Sequence, residues 1–245
     1  GRKIDELIAN TRDTEGMVPW LEAFSQAYQS RNTAEQALAD IGVISQLQGE
    51  ASLALKLVER TDGDGAYGLK VYHRGKPIPL SDRVPMLENF GFRVIDERTY
   101  TVEPAGGALC FIHDMVLDLP GGPVAEFAAR APLVEEAILA VWQLEAESDG
   151  LNRLVLAAGM GWTDVAILRA LARYLKQIGV SWSRAYLAQV LNLHPEVARA
   201  LVALFHAQLY PGQDGSRAQA AATARAAIAA GLDATQSLDE DRIIR

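Results

Sequence analysis

Hydrophobic and polar residues alternate in two short stretches of the first half of the chain. In "SLALKLV" (52–58) the alternating apolar positions are Leu53, Leu55 and Leu57. In "YGLKVYHRG" (67–75) one side is formed by Tyr67, Leu69, Val71 and His73. A period of two is typical of a β-strand with one buried face. The joining segment "RTDGDGAYG" is rich in Asp and Gly, which tolerate positive φ, so the pattern predicts a β-hairpin.

A helical period precedes and follows this hairpin. Asn32 or Thr33 is a suitable cap for a first helix, whose apolar face is formed by Ala34, Ala37, Leu38, Ile41, Ile44 and Leu47. The stretch "PLSDRVPMLENFG" (79–91) predicts a second helix with Asp82 as its N-cap, because Pro85 then falls where no backbone donor is needed. Gly91 is expected to end it. A strand follows at once, and "ALCFIHDMVLDLP" (108–120) predicts another, with an inner face formed by Phe111, Met115, Leu117 and Leu119.

The order of elements up to residue 120 is therefore helix, strand, strand, helix, strand, strand. Short antiparallel strands with two helices on one face form an α+β sandwich. This is the set of elements of a ferredoxin-like or ACT-like module, with the last strand in place of the usual first one. We assign residues 1–31 to an N-terminal helical or irregular arm and residues 32–122 to this α+β module.

The second half of the chain, residues 123–245, has helical periodicity almost throughout. Apolar stripes run through "PLVEEAILAVWQL", "DGLNRLVLAAGMGW", "WTDVAILRALARYLKQIG" and "SWSRAYLAQVLNLHPEVARALVALFHAQL". The connections are short, so we expect an all-α helical bundle. A last segment, "SRAQAAATARAAIAAGL" (216–232), has high helix propensity and little apolar bulk, so we expect it to pack against another surface.

Composition and charge narrow the classes of function. The 245 residues are 49% apolar and 22% charged, as in ordinary globular proteins, and the net charge of −8 argues against nucleic-acid binding. The single cysteine, Cys110, excludes an internal disulfide and fits a reducing cytoplasm, where we expect the protein. No apolar run reaches the roughly 20 residues that cross a bilayer, so no membrane contact is expected. The chain starts at Gly1 and stops at Arg245 within a helical pattern, which predicts a piece of a longer protein.

A glycine triplet imitates a cofactor motif. Gly63, Gly65 and Gly68 have the G-x-G-x-x-G spacing of dinucleotide-binding loops, and Glu88 follows about 20 residues later. In that motif the third glycine opens a helix whose N-terminal N–H groups hold a pyrophosphate. Here a strand-like stretch follows instead. We therefore predict a hairpin turn that binds no cofactor, with phosphate or metal binding as minor alternatives, and "DGDG" lacks the central glycine and terminal glutamate of a calcium loop.

The residues with catalytic chemistry form no recognisable site. His73 and His113 are expected to face the same core, but no third residue with metal-ligand spacing accompanies them. His113 and Asp114 are adjacent on a strand and point to opposite faces. We expect partnered structural histidines and an inert thiol at Cys110. No G-x-S-x-G, P-loop or HExxH motif is present in the sequence, so we predict no catalytic residue and no metal site.

Longer strings carry a resemblance to a known family. "LSDRVPMLENFGFRVIDE" followed by "FIHDMVLDL" resembles the stretch ahead of the catalytic domain in the large bacterial NAD-specific glutamate dehydrogenases. "DGLNRLVLAAGMGWTDVAILRALARYLKQIGVSWS" and "SLDEDRIIR" are similar to the helical region that leads into that domain, so the resemblance runs from Met17 to Arg245. It implies an ACT-like regulatory module and helical motifs, with the catalytic domain beyond this chain. The implied parent reaction is the oxidative deamination of L-glutamate to 2-oxoglutarate and ammonium with NAD⁺.

Three functions of different classes follow. The first is a non-catalytic regulatory and assembly segment of such a dehydrogenase, which holds NAD elsewhere and responds to an amino-acid effector through residues that the sequence does not identify. Its partners would be the rest of the polypeptide and further copies in a homo-oligomer. The second is a purely structural oligomerisation scaffold, favoured by the alanine-rich last helix, which buries little alone. The third is a small independent enzyme that uses His73, His113 and Asp82.

Overall fold

The computed structural model describes residues 14–49, 52–60, 67–122, 124–209 and 217–233, which divide into two compact units. The sheet unit contains the described residues up to Pro85 and those from Phe92 to Gly122. The helical unit contains Met86–Gly91 and the described residues after Gly122. The predicted fold class, an α+β region with an antiparallel sheet followed by a helical region, is confirmed. The predicted limits 1–31, 32–122 and 123–245 stay predictions.

The sheet unit begins with short helical turns and ends with a strand. Its elements are α1 (Thr14–Met17), a 3₁₀ turn (Val18–Trp20), α2 (Gln26–Gln29), α3 (Ala34–Ile44), β1 (Leu53–Glu59), β2 (Tyr67–Arg74), α4 (Leu80–Asn89), β3 (Arg93–Val102) and β4 (Cys110–Asp118). The last residues of α4 belong to the helical unit. Thr33 caps α3 as predicted, and it forms a reciprocal capping box with Gln36.

The four strands form one sheet in the order β1-β2-β4-β3, and all neighbours are antiparallel. β1 and β2 form the predicted hairpin, with Leu53 opposite His73 and Glu59 opposite Tyr67. β4 is last in sequence but lies in the middle of the sheet, as predicted for a strand that replaces the first strand of a ferredoxin-like motif. β2 and β3 are consequently parallel, and α4 connects them.

The two main helices of this unit cover opposite faces of the sheet, so the prediction of two helices on one face is wrong. Even-numbered residues of β1, β2 and β4 point to one face and odd-numbered residues to the other. α3 packs on the even-numbered face with Tyr72, whereas Arg83 at the start of α4 reaches Glu97 on the odd-numbered face. Because α3 precedes the first strand, no crossover fixes it on the face that α4 occupies. β2 is therefore buried on both faces and not half-buried.

Helix α4 begins earlier than predicted. It starts at Leu80, and the backbone N–H of Asp82 already bonds the carbonyl of Pro79, so Asp82 is not the N-cap. Asp82 lies instead in the first turn, where a carboxylate interacts favourably with the helix dipole. Pro85 consequently lies inside the helix, which lacks one backbone hydrogen bond there. Gly91, at φ +94°, follows the helix as predicted.

The helical unit surrounds one short buried helix. Its elements are α5 (Phe127–Trp142), a 3₁₀ turn (Gly150–Asn152), α6 (Arg153–Ala158), α7 (Trp162–Gln177), α8 (Arg184–Leu193), α9 (Pro195–Leu209) and α10 (Arg217–Asp233). α6 contacts α5, α7, α8 and α9, and its Leu154, Val155 and Ala158 are fully buried. Arg130 of α5 donates to the carbonyls of Leu156 and Ala157, which satisfies carbonyls that the end of α6 leaves open.

The alanine-rich segment forms helix α10, and the surface that it packs against is α9. Ile228 and Leu232 lie against a small core that contains Val190 and Val197. A Cβ atom on Gly231 would overlap with a methyl group of Val197. The two helices therefore lie this close together because position 231 has no side chain.

Candidate functional site

Polar side chains gather on both faces of the sheet, although most of the sheet is apolar. On the odd-numbered face lies the histidine cluster, which we define as His73, Arg83, Glu97, Thr99 and His113. On the even-numbered face lies a buried carboxylate, Asp40 of α3, and beside it an open cavity. The two groups differ in how completely their members are paired.

The histidine cluster holds a neutral imidazole. Nε2 of His113 accepts a hydrogen bond from the backbone N–H of Ile78 at 3.2 Å, so the ring proton is on Nδ1. Nδ1 lies 2.9 Å from Oγ1 of Thr99 and 3.4 Å from Oε1 of Glu97. Arg83 donates to the same Glu97 oxygen at 2.5 Å. Burial and the Arg83 guanidinium lower the pKa of His113 to about 4, against the opposing effect of Glu97.

This geometry favours a structural role for the histidines. The register places His73 and His113 on the same face of neighbouring strands, as expected, but both ring nitrogens of His113 are engaged. Nδ1 of His73 contacts the carbonyl of Lys76. Asp82 is exposed on α4, where its carboxylate accepts a hydrogen bond from Ser81. The independent-enzyme hypothesis requires Asp82 to lie beside the histidines. Among the described residues, no contact joins Asp82 to His73 or His113.

On the opposite face, Asp40 ties α3 to the sheet. One of its oxygens accepts hydrogen bonds from the Tyr28 hydroxyl at 2.6 Å and the Lys70 ammonium at 2.7 Å. Its other oxygen accepts from the Tyr72 hydroxyl at 2.7 Å. Burial and the Asp40 charge raise the pKa of Tyr28, so this phenol remains a donor. A buried carboxylate with three donors is stably paired, so these contacts hold the fold together.

Next to this network lies a cavity of about 510 Å³, which we call the charged cleft. It is bounded by α3, by the turn before α3 and by all four strands. Its cationic lining residues are Arg31, Lys56, Arg60, Lys70 and Arg98. Its carboxylates are Asp40, Glu59 and Asp114. The volume lies within the range of small-molecule sites.

One row of charged side chains crosses the sheet inside this cleft. In the strand register, Lys56 is opposite Lys70, Lys70 is opposite Asp114, and Asp114 is opposite Arg98. Each of the four strands therefore contributes one residue. We call these four residues the charged row. Directly opposite residues have Cβ atoms roughly 4.5–5.5 Å apart, and like charges in such positions destabilise a sheet. The charge of Lys70 in this row is neutralised by its ion pair with Asp40, and Lys56 is exposed to solvent.

Asp114 is the least satisfied member of the charged row. Within the described ranges, no hydrogen bond reaches its half-buried carboxylate. Burial raises its pKa, although Lys70, Arg60 and Arg98 lower it. Asp114 is thus a carboxylate beside a cavity that would gain from a further hydrogen-bond donor.

The third glycine of the triplet contributes to the same cleft. Gly68 lies within strand β2, opposite Val58 and Val116, so the prediction of extended chain after the triplet is confirmed. Leu69 continues the strand, and no helix N-terminus follows Gly68 to hold a pyrophosphate. Gly63 and Gly65 lie outside the described residues, and the absence of a cofactor stays a prediction. A side chain at Gly68 would begin beside Val58 and Arg60, within the lining of the cleft.

Two basic side chains of the helical unit, Arg169 and His206, have partners within the unit. Arg169 is 4% exposed and makes two hydrogen bonds to Asp149, one to Asn152 and one to the carbonyl of Glu147. His206 of α9 lies 2.8 Å from Asp164 of α7. These contacts join separate helices and turns of the unit, so they account for the buried charge without a ligand.

Metal, thiol and membrane features add no further site. In the ranges that the structure covers, no three His, Cys, Asp or Glu side chains meet as a metal site requires. Cys110 is buried, and burial raises its pKa, which disfavours the reactive thiolate. None of the described helices is long and apolar enough to span a bilayer.

Sequence analysis missed the charged cleft. One indication was present: Asp40 lies within the apolar stripe of α3, between Ala37 and Ile41, where a charge must be paired. A second was the alternation of β2, which places Lys70 and Tyr72 on the face opposite His73. The period of two predicts that face to be exposed, whereas β2 is buried on both faces.

Two family models match this chain in separate segments. The model described as glutamate dehydrogenase, ACT3 domain, matches residues 52–130. The model described as glutamate dehydrogenase, helical motif 3, matches residues 146–211. The first match contains all four strands, and the second contains α6, α7, α8 and α9.

Curated relatives carry one name. The chain is 40% identical over 229 residues to the NAD-specific glutamate dehydrogenase of Mycobacterium tuberculosis and 39% identical over 226 residues to that of Halomonas elongata, covering 91% of this chain in both comparisons. It is 32% identical over 246 residues to that of Pseudomonas aeruginosa, covering 98% of this chain. The chain spans only 14–15% of the length of these relatives. The predicted resemblance is confirmed.

Proposed function

We propose that this chain, a relative of the NAD-specific glutamate dehydrogenases in their ACT3 domain and helical motif 3, is a regulatory and assembly segment of such an enzyme. The pairing of these two matched segments in one chain carries the proposal. The whole enzyme would oxidatively deaminate L-glutamate to 2-oxoglutarate and ammonium with NAD⁺. Its chemistry would take place outside this chain, and its partners would be the rest of the polypeptide and further copies in the cytoplasm.

The non-catalytic character of the segment is tested by a direct assay. The 245-residue chain is incubated with L-glutamate and NAD⁺, and NADH formation is followed by absorbance. We expect no turnover, because the histidine cluster is engaged in structural contacts and Gly68 is followed by a strand. The full-length Pseudomonas aeruginosa relative is the positive control. NADH formation by the chain alone, above a no-enzyme blank, would overturn the proposal.

Regulation requires a ligand that binds one arrangement of the protein better than another. We propose an amino acid as this effector. Among the sites described above, the charged cleft supports this idea because it combines a cavity with charged side chains of both signs. Calorimetric titration with amino acids tests it, and the absence of binding would leave assembly as the role of the segment.

A purely structural scaffold is the second candidate, and an exposed apolar stripe favours it. Leu171 and Tyr174 of α7 and its C-cap residue Ile178 follow one another at helical spacing and are 36%, 59% and 59% exposed. The alanine-rich helix no longer supports this candidate, because α10 already packs on α9. Sedimentation of the chain and of a Tyr174→Ser, Ile178→Ser variant tests it. A scaffold predicts self-association that the variant loses, and a monomer in both samples counts against it.

A further inference from the structure

The side chain of His113 holds the segment that leads into helix α4. His113 is 1% exposed, and its Nε2 atom accepts a hydrogen bond from the backbone N–H of Ile78 at 3.2 Å. Ile78 is buried as well, and a buried backbone N–H without an acceptor is unfavourable. Nε2 contributes its lone pair to this contact, so the hydrogen bond exists only while the ring is neutral. Helix α4 begins two residues later, at Leu80.

The other ring nitrogen of His113 is linked to the same end of α4. Its Nδ1–H donates to the hydroxyl oxygen of Thr99, and the Thr99 hydroxyl donates to Oε1 of Glu97. The same Glu97 oxygen accepts a hydrogen bond from Arg83, whose side chain is 5% exposed in the first turn of α4. The neutral imidazole therefore holds the start of α4 directly through Ile78 and indirectly through Arg83.

A second proton on the His113 ring would turn the contact with Ile78 from attraction into repulsion. Nε2 would then carry an N–H that faces the backbone N–H of Ile78. The charged and titratable groups that face the ring are Arg83 of α4, Glu97 of β3 and His73 of β2. Arg83 and His73 disfavour a positive charge on the ring, whereas Glu97 favours it. The cluster thus holds the ring neutral at the expense of a contact that acid can break.

We propose that His113 is an acid-sensitive latch for the start of helix α4. When Nε2 takes a proton from solvent, its hydrogen bond to Ile78 is lost, and the connection 75–79 and the first turn of α4 move away from the sheet. The latch is a property of the fold, so it stands apart from the regulatory and assembly role proposed above.

The structure limits how far this opening extends along α4. Pro85 has no backbone N–H, so the first turn is joined to the rest of the helix by one hydrogen bond fewer. Beyond Pro85, the residues Met86–Gly91 belong to the helical unit. Leu87 and Phe90 are fully buried there, and Asn89 donates to the hydroxyl of Ser148. We therefore expect the end of α4 to keep its place when the first turn opens.

Hydrogen exchange of the whole 245-residue chain tests the latch. The protection of each amide is measured at pH 7 and pH 5, relative to its intrinsic exchange rate at that pH. The pKa of His113 is about 4 in the fold and 6.5 in the open segment, so opening should be about twentyfold more favourable at pH 5. Protection of the Ile78 and Arg83 amides should fall by that factor, while the Leu87 and Phe90 amides keep theirs. Unchanged protection of Ile78, or an equal fall at all four amides, would overturn the latch.

Three substitutions test whether His113 is the group that takes the proton. His113→Gln keeps an acceptor for Ile78 but does not titrate in this range, so the pH dependence of Ile78 protection should disappear. Arg83→Gln should raise the pH at which the segment opens, because it removes a charge that opposes protonation. His206→Gln is the matched control, since His206 also lies beside a carboxylate but in the helical unit, and it should change nothing. Circular dichroism confirms that each variant is folded.

Two further measurements complete the test. If His73→Gln removes the pH dependence and His113→Gln retains it, His73 is the sensor and the proposal is wrong. NMR titration of the unchanged chain needs no variant: the His113 ring and the Ile78 amide should share one midpoint, and separate midpoints would count against the latch. None of these outcomes affects the NADH assay, so failure of the latch leaves the proposed function intact.

Discussion

The helical unit and the sheet unit each bury charged groups, but they satisfy them to different degrees. Arg169 in the helical unit donates from Nε and from one terminal nitrogen to Asp149, Asn152 and the Glu147 carbonyl. In the sheet unit, Asp40 is equally well paired, whereas Asp114 lines a cavity and accepts no hydrogen bond from the described part of the chain. A completed network is sufficient explanation for a buried charge in the fold. An incomplete one beside a cavity indicates where a ligand could complete it.

The largest expected loss of stability follows from removing Arg169, which tests whether its hydrogen bonds in the helical unit stabilise the fold. Arg169→Met should lower the free energy of unfolding by about 2–3 kcal/mol, because it removes the buried donor of an ion pair whose acceptor, Asp149, is 36% exposed. The matched control is Arg173→Met, one turn later on α7, whose pair with Glu147 is about half exposed and should contribute under about 1 kcal/mol. Urea unfolding measures both. Equal effects would mean that Arg169 is not a structural residue of the kind described.

A pH effect tests the histidine cluster of the sheet unit, in which Glu97 Oε1 is paired and Oε2 is buried without a hydrogen-bond partner among the described residues. His113 has its pKa lowered from 6.5 to about 4 in the folded state, so the unfolded chain binds the proton first as pH falls. Its contribution is complete above pH 6.5 and decreases between pH 6.5 and about 4, with a loss of about 2 kcal/mol between pH 7 and pH 5. Urea unfolding at the two pH values measures the loss. NMR titration of the ring isolates His113, and a midpoint near its unfolded value would contradict the neutral cluster.

Alanine substitutions at two glycines test the difference between a closely packed position in the helical unit and an open surface position in the sheet unit. Gly231→Ala should destabilise the chain by about 1–2 kcal/mol, because the new methyl group overlaps with Val197 at the contact of α9 and α10. Gly42→Ala in α3 has open space around it and should stabilise by about 0.5–1 kcal/mol through helix propensity. Thermal unfolding measures both changes. Restoration of stability by Val197→Ala in the Gly231→Ala background would identify overlap as the cause.

The smallest expected change in stability is for Asp114 in the charged row, where a substitution should not destabilise the fold. Burial raises the pKa of Asp114, so its charged form is disfavoured in the fold at neutral pH. Asp114→Asn should therefore leave stability at pH 7 unchanged or raise it slightly. The control is Asp40→Asn, which should destabilise because it weakens three short hydrogen bonds. Marked destabilisation by Asp114→Asn would show that this carboxylate is as structural as Asp40.

Local patterns predicted the elements better than their assembly. The alternation in 52–58 and 67–75 was sufficient for the hairpin, and the Thr33 cap and Gly91 stop were correct. The predicted start of α4 was wrong. A proline is disfavoured inside a helix, so the pattern predicted a start at Asp82, whereas the helix begins at Leu80 and contains Pro85 in its interior. The choice of sheet face for each helix depends on tertiary contacts that no short window contains.

The charged row could not be predicted from the sequence for a specific reason. Its formation depends on an irregularity in β3, where Val94 pairs with Leu117 but Asp96 pairs with Val116. The extra residue, Ile95, reverses which residues of β3 face which side, so Arg98 joins Asp114 on the even-numbered face. Without this bulge, Arg98 would point to the other side. A one-residue shift of this kind leaves no mark in the hydrophobic pattern.

The central position of β4 has a consequence for how the protein is made. When a ribosome has released only the chain through β3, β2 has one unpaired edge and β3 has no neighbour to join it to the hairpin. Exposed strand edges of this kind are prone to pairing with other nascent chains. The four-stranded sheet can form only after β4 (Cys110–Asp118) has emerged and paired with β2 on one side and β3 on the other. Synthesis that stalls in the 103–109 connection would therefore yield an aggregation-prone species, and a pause after residue 118 would favour correct folding.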